Sequence, residues 1–260
     1  MICKICESES AKIFSGLLFD RHKINYFKCN FCGFIQTEDP FWLEEAYKET
    51  INISDTGMVA RNFNLSKILS GILFFYFDRS GKFLDFAGGY GLLTRIMRDM
   101  GFDFYWSDPY TSNIFAKGFE YKPSLGQIEL VTSFEAFEHF VNPMKEIDEM
   151  LRISKNLLFT TILLPTPIKQ PKQWWYYGLE HGQHIAFYSL KSLKFIADKH
   201  GLNLYSTGST HLFTQKKISQ KALYFFINTR FLGISNLMPT LMGSKTINDM
   251  NYIIRKLYDK

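Results

Sequence analysis

The stretch Lys82–Tyr110 reads K-F-L-D-F-A-G-G-Y-G-L-L-T-R-I-M-R-D-M-G-F-D-F-Y-W-S-D-P-Y, and its interpretation decides the fold. Phe83-Leu84-Asp85-Phe86 is a short apolar run of the kind a buried strand requires. Ala87-Gly88-Gly89-Tyr90-Gly91 is a tight turn of small residues. Leu92, Leu93, Ile96, Met97 and Met100 then recur at helical spacing and form one apolar face. Gly101 follows as a glycine just past a helix end does. Phe102–Trp106 is a second strand, closed by Asp108-Pro109. A strand, a glycine turn, a helix and a strand ending in an acid make up half of a nucleotide-binding fold. Small turn residues let a ligand approach the backbone, and the helix start offers unpaired N–H groups to an anion. Asp108 stands where an acid can accept both hydroxyls of a ribose.

The glycines do not fit a dinucleotide fingerprint, which needs G-x-G-x-x-G. Counted from Gly89, the third glycine falls on Thr94; counted from Ala87, position 92 is Leu. The spacing from Asp85 to Gly91 instead resembles motif I of class I S-adenosylmethionine (SAM)-dependent methyltransferases, with Ala87 at that family's first glycine. Glu129–Pro143, E-L-V-T-S-F-E-A-F-E-H-F-V-N-P, is similar to the family's fourth strand and its following EH segment, in the right order and at the right distance. The resemblance covers roughly residues 57–215. It implies an α/β, Rossmann-like domain with a mostly parallel seven-stranded sheet and helices on both faces. The cofactor residues it implies are Asp85, Phe86, Ala87, Gly89, Gly91, Asp108, Pro109, Ser133, Phe134 and Glu135. The short stretch Glu120–Ile128 leaves the third strand abbreviated, or leaves adenine contact to an aromatic such as Phe134 or Tyr110.

Composition sets outer bounds. With 260 residues, 46% of them hydrophobic, the chain can build one ample core plus an appendage. The longest apolar run, Ile68–Phe77, is too short to span a bilayer. Cys3 and Lys4 interrupt any N-terminal apolar region, so the sequence reads as cytoplasmic. A net charge of +5 is too mild to imply nucleic acid, and the excess of basic residues lies in the tail after Lys216.

All four cysteines lie near the start, as Cys3-x-x-Cys6 and Cys29-x-x-Cys32. Two such pairs are the pattern of two knuckles that close a tetrahedral zinc site. Four protein ligands leave no open position, so one structural zinc is expected, with two short strands over it. The expected organisation is a zinc-ribbon-like module over 1–38, a methyltransferase domain with a helical connector over 39–215, and a helical extension over 216–260. Within these, a helix is expected over 57–77, with Val59, Phe63, Leu65, Ile68, Leu69, Ile72 and Leu73 facing inward. Another is expected over Ser112–Phe119, and Ser189 is expected to cap a helix that ends at Gly201.

Pro165–Ile185 carries three prolines and cannot be one helix. It follows a strand's C-terminal end, where long loops serve function. Trp174, Trp175, Tyr176 and Tyr177 either stack on a ligand or pack as a lid core. The segment from His184 to Ser189 is similar to one in sugar methyltransferases, including C-methyltransferases with an N-terminal zinc module. That resemblance implies His184 as general base, with His181 standing at a tyrosine position and Gln183 at an acid position. His139 lies in the EH pair beside the cofactor.

The sequence thus implies methyl transfer from SAM to a sugar, nucleotide sugar or other polar small molecule, on oxygen or carbon. His184 serves as base, with His181 and His139 as auxiliaries. An RNA methyltransferase that grips through the zinc module and basic tail is a second reading. A scaffold that has lost its cofactor is a third, and Gly89, Gly91 and Asp108 weigh against it. No membrane partner is implied.

Overall fold

The computed structural model describes residues 1–48, 55–228 and 233–258; parts of the expected connector and tail lie outside the described residues. The first half of the chain forms β1 (Ser10–Leu18), β2 (His22–Cys29), β3 (Ile35–Thr37), α1 (Leu43–Ala46), α2 (Met58–Tyr76), β4 (Lys82–Phe86), α3 (Leu92–Asp99) and β5 (Asp103–Ser107). There follow β6 (Leu130–Ser133), α4 (Pro143–Ile153), β7 (Leu157–Thr160), β8 (Ala186–Phe187), α5 (Leu190–Lys199), β9 (Asn203–Thr207) and β10 (Thr210–Thr214). The tail holds α6 (Gln220–Asn228), α7 (Met238–Met242) and α8 (Thr246–Tyr258). These elements group into two compact units, one of residues 1–54 and 134–217, the other of 55–133 and 218–260.

The second unit holds the glycine turn. β4 pairs in parallel with β5 on one side and β6 on the other, which sets Asp85 opposite Trp106 and Thr132. Phe83, Leu84, Phe104, Leu130 and Val131 are fully buried, as parallel strands covered on both faces require. α2 buries Ile68, Leu69, Ile72 and Leu73 as expected, but Val59 and Phe63 are about half exposed, so the buried stripe covers only the later turns. No helix forms over Ser112–Phe119. There the Asn113 side chain accepts from the Ala116 N–H and donates to Glu120, and Gly118 adopts φ +89, so local side-chain bonds displace the helix. The third strand is reduced to a single parallel bridge between Glu120 and Trp106.

The first unit holds a four-stranded sheet in the order β1-β2-β3-β8. Its cysteine-bearing hairpin is thus extended by a strand from far along the chain. Leu18, Ile24, Tyr26, Ile35, Trp42, Trp174, Tyr177 and Phe187 form its core. β10 runs antiparallel to β7 and to β9 in the same unit. Against the expected seven strands, the described residues form six, β5, β4 and β6 in one unit and β7, β10 and β9 in the other. The missing one is the abbreviated third strand.

Ser189 caps α5 as expected, accepting from the Ser192 N–H at 3.0 Å. Its hydroxyl also donates to the Cys32 carbonyl at 2.7 Å, tying the second knuckle to a helix start.

Candidate functional site

In the second unit the chain turns sharply after β4. Ala87, Gly89 and Gly91 take φ values of +58, +54 and +83. Gly88 is needed for space: a Cβ there would lie 2.7 Å from an Asp85 oxygen and 2.9 Å from the Trp106 ring. The Gly89 peptide is pinned at both ends. Its N–H donates to Asp108 Oδ2 at 2.9 Å, and its carbonyl accepts from Trp106 Nε1 at 2.8 Å and Thr111 Oγ1 at 2.7 Å. Asp108 Oδ1 accepts from the N–H groups of Tyr110 and Thr111, so this acid, placed by the end of β5, organises both loops.

Asp85 lies inward, 3% exposed, between Thr94 and Thr132, whose hydroxyls donate to it at 3.2 and 3.1 Å. Burial raises its carboxyl to about 7, partly opposed by those two hydroxyls. It props the turn from below. α3 starts at Gly91 with no side-chain cap, leaving its first N–H groups for an anion or water. At Gly89 nothing lies within 4 Å of where a Cβ would be. At the end of β6, Ser133 Oγ is buried without a hydrogen-bond partner. An open turn face, an uncapped helix start and an orphaned hydroxyl are what a polar cofactor would use. Phe86 ends β4, and Pro109 and exposed Tyr110 continue from Asp108.

The first unit holds the histidines. Phe134 and Glu135 open its second segment; Glu135 has φ +53, and its carboxylate and N–H both bond Thr160 Oγ1 at 2.8 Å. Glu138 and His139 lie on the short turn Phe137–His139. The Ile185 N–H donates to the Glu138 carbonyl at 2.8 Å and draws the His184 segment alongside. The His184 ring lies 5.0 Å from that of His139 and 4.8 Å from that of His181. A carbonyl can only accept, so the 2.6 Å contact of His184 Nδ1 with the Tyr176 carbonyl puts the proton on Nδ1 and the lone pair on Nε2. His181 is the reverse: its Nδ1 accepts from the Gln183 N–H at 3.1 Å, so its proton is on Nε2, 3.9 Å from Glu180. Desolvation lowers all three rings, His139 down to about 4 and His184 well below the ordinary histidine range; a charged His181 would lower both further, the Gln183 and Tyr176 carbonyl bonds oppose the shifts of His139 and His184, and Glu180 opposes that of His181.

Tyr47, in the connector, contacts His139 Nδ1 through its hydroxyl at 2.8 Å. Sequence reading missed it, because nothing distinguishes it from the other connector aromatics. Three of the four lid aromatics are core: Trp174, Tyr176 and Tyr177 are buried, and only Trp175 is exposed, at 72%. Tyr176 is fixed by Thr161 and by the Ile162 N–H.

The four cysteine thiols are free and converge. Cys3 and Cys32 Sγ lie 3.6 Å apart, Cys6 and Cys29 3.4 Å, and all four within 4.8 Å. A tetrahedral zinc with bonds of about 2.3 Å needs edges of about 3.8 Å. Backbone N–H groups of Ile5, Phe31 and Cys32 point at Cys3 or Cys29 sulfur at 3.3–3.4 Å. The donor set, its size and these N–H groups all fit a zinc thiolate site. Among packed thiols one ionises first: the Cys32 thiol, as a donor, lowers Cys3 to about 5, and Cys32 itself is pushed up.

This fold and this turn define a class, the SAM-dependent methyltransferases. A family model described as a methyltransferase domain matches residues 61–207, over half the chain, and the chain belongs to that family. No curated protein matches it. Among solved structures it is similar to OxaC in complex with sinefungin and meleagrin, at 17% identity over 52% of this chain and 42% of that one, with a TM-score of 0.39. It is also similar to TnmH, at 13% identity over 68% and 62%, TM-score 0.47, so it spans less than two thirds of either protein. The magnesium protoporphyrin IX methyltransferase of Synechocystis PCC 6803 with bound SAH matches at 12% identity over 67% of this chain and 94% of that one, TM-score 0.42. Among the described residues no helix is long and apolar enough to cross a membrane.

Proposed function

We propose that this protein transfers a methyl group from SAM to a sugar-like or otherwise polar small molecule, with His184 as the general base. The observation that carries this reading is the tautomer of His184: a bond from Nδ1 to the Tyr176 carbonyl orients the ring and leaves the Nε2 lone pair to take a proton. The cofactor, when bound, supplies an electrophilic methyl group on a sulfonium. His184 Nε2 would take the proton of an acceptor hydroxyl or carbon acid as that group is methylated. His139 and His181 shape the acceptor side, and exposed Trp175 is a surface on which a sugar ring can stack. On the cofactor side, the Gly89–Gly91 face and the start of α3 would receive the anionic end of SAM. Asp108 would exchange part of its loop bonding for the ribose hydroxyls, and Ser133 Oγ would gain a partner. Phe86, Ala87, Pro109, Phe134 and Glu135 would complete the cofactor's surroundings, with Asp85 supporting them.

Cys3, Cys6, Cys29 and Cys32 would hold one structural zinc within a module over residues 1–38. A reducing cytoplasm would keep these thiols available.

The test is calorimetric titration with S-adenosylhomocysteine, with NAD as control. Binding of the first alone is expected, and silence toward it in the presence of a panel of nucleotide sugars would remove the reading. His184→Ala should bind S-adenosylhomocysteine as the parent does and lose about two to four orders of magnitude in turnover. Unchanged turnover would reject His184 as the base.

A further inference from the structure

Apart from the four cysteines, the described residues contain one group of three or more metal-ligating side chains whose donor atoms all lie within 4.8 Å of one another: Glu138, His139 and His184. We propose that these three bind a divalent first-row transition-metal ion through two imidazole nitrogens and one carboxylate.

Both histidines are already dressed as ligands. A metal-bound imidazole nearly always bonds a carbonyl, carboxylate or water through its other nitrogen. His184 Nδ1 donates to the Tyr176 carbonyl, and His139 Nδ1 is held by the Tyr47 hydroxyl at 2.8 Å. His184 thus presents an Nε2 lone pair; the His139 ring also bonds the Gln183 carbonyl, and it serves as a ligand in the tautomer whose proton sits on Nδ1, with the Tyr47 hydroxyl accepting. Glu138 is 1% exposed, so its carboxylate is held out of bulk water. Its negative charge adds to desolvation in raising the hydroxyl groups of Tyr176 and Tyr188. The backbone makes the grouping rigid: Glu138 and His139 share one turn, and the Ile185 N–H bonds the Glu138 carbonyl.

The donor set also selects the ion. Imidazole with one carboxylate suits iron, cobalt, nickel and zinc, whereas magnesium and calcium require oxygen. Three protein ligands leave positions open for water or an acceptor oxygen. His181 is excluded, because its Nδ1 is occupied by the Gln183 N–H and its Nε2 carries the proton. The ion and a proton compete for the same lone pair of His184, so the loaded site and a proton-accepting His184 are exclusive states. Metal binding here requires only the ligand geometry, not methyl transfer.

Cobalt(II) titration of the full chain, with the cysteine site first filled with zinc, tests the proposal. A thiolate-to-cobalt charge-transfer band would mark displacement at the cysteines; visible d–d bands without it mark nitrogen and oxygen donors. One further equivalent with the second signature is expected. Glu138→Gln and, separately, His139→Asn should each weaken it by about tenfold or more, with His181→Asn as an unaffected control. Each variant is compared at parental zinc content and far-UV dichroism, so that misfolding is read separately. No uptake beyond the cysteines, or uptake indifferent to both ligand variants, overturns the proposal. S-adenosylhomocysteine binding on the same samples reads the methyltransferase assignment independently.

Discussion

At the scale of the residue, the glycine turn after β4 carries one strained position. Ala87 has φ +58, a conformation that costs a residue with a Cβ about 1–2 kcal/mol. Ala87→Gly should therefore raise stability, by up to about 1 kcal/mol after the entropy of a freer unfolded chain is deducted. Gly88→Ala is the opposite case. Its Cβ would fall 2.7 Å from the buried Asp85 carboxylate, and the turn would have to shift. Urea midpoints should rise for the first variant and fall for the second, and equal shifts would mean the turn is not held as described. His211 offers a separate measurement. It is fully buried in β10, with Nε2 donating to the Thr161 carbonyl at 3.0 Å and Nδ1 against Ser206 Oγ at 2.9 Å. Burial lowers it from 6.5 to about 4, partly opposed by the Thr161 bond. The unfolded chain takes this proton at the higher pH, so the contribution is complete above about 6.5 and lost as pH falls to about 4. It amounts to about 3 kcal/mol there. His211→Gln should flatten that slope in acid-unfolding curves, and an unchanged slope would place the effect elsewhere.

At the scale of the element, the cysteine hairpin is the piece that a metal should hold. β1 and β2 bring Leu18, Ile24 and Tyr26 to the core of their unit, with half-buried Phe14 packed against it, and the rest comes from β3, α1's flank and the 174–187 segment. Trp42 and Trp174 sit in that same core, with Trp42 Nε1 donating to the Gly182 carbonyl at 2.8 Å. Stripping metal with a chelator should therefore red-shift and weaken tryptophan emission, and zinc should restore it. Emission that ignores the chelator would mean the hairpin stands by its own packing. What the sequence disclosed here follows a pattern. The knuckles, the glycine turn and the cap at Ser189 are local, and local spacing is what a sequence displays. The pairing of β3 with β8, the approach of Tyr47 to His139 and the burial of Trp174 depend on residues far apart in the chain. No periodicity encodes them. The expected helix over Ser112–Phe119 failed for a related reason, since Asn113 and Gly118 satisfied the backbone in another way.

At the scale of the whole molecule, the chain passes between the two units three times, and the second unit is completed only by its last residues. The tail reads in sequence as a solvated basic helix, but it is seated at specific places. Arg98 of α3, with its side chain 5% exposed, makes a bidentate pair with Asp249 of α8, both contacts at 2.7 Å, and also bonds Asp103 and the Phe104 carbonyl. Two glycines leave room for the tail: a Cβ at Gly118 would strike Ile253 at 2.2 Å, and one at Gly101 would strike Met242 at 2.5 Å. The partners are well over a hundred residues apart, which is why the docking was not legible beforehand. Removing one member of a buried ion pair costs about 3–5 kcal/mol where the other charge is left unpaired. Asp249→Ala leaves Arg98 with Asp103 as its remaining carboxylate, so it should lower stability by less than that figure, and a chain ending at Lys217 should lose more, because the apolar cover goes with the charge. Arg98→Met combined with Asp249→Leu should recover much of the loss, since a buried pair and a packed apolar pair of similar volume are near equals. Thermal unfolding of the four chains decides it. Parental stability in the chain ending at Lys217 would make the tail an appendage, and a failure of the double variant to recover would assign the loss to packing rather than to charge.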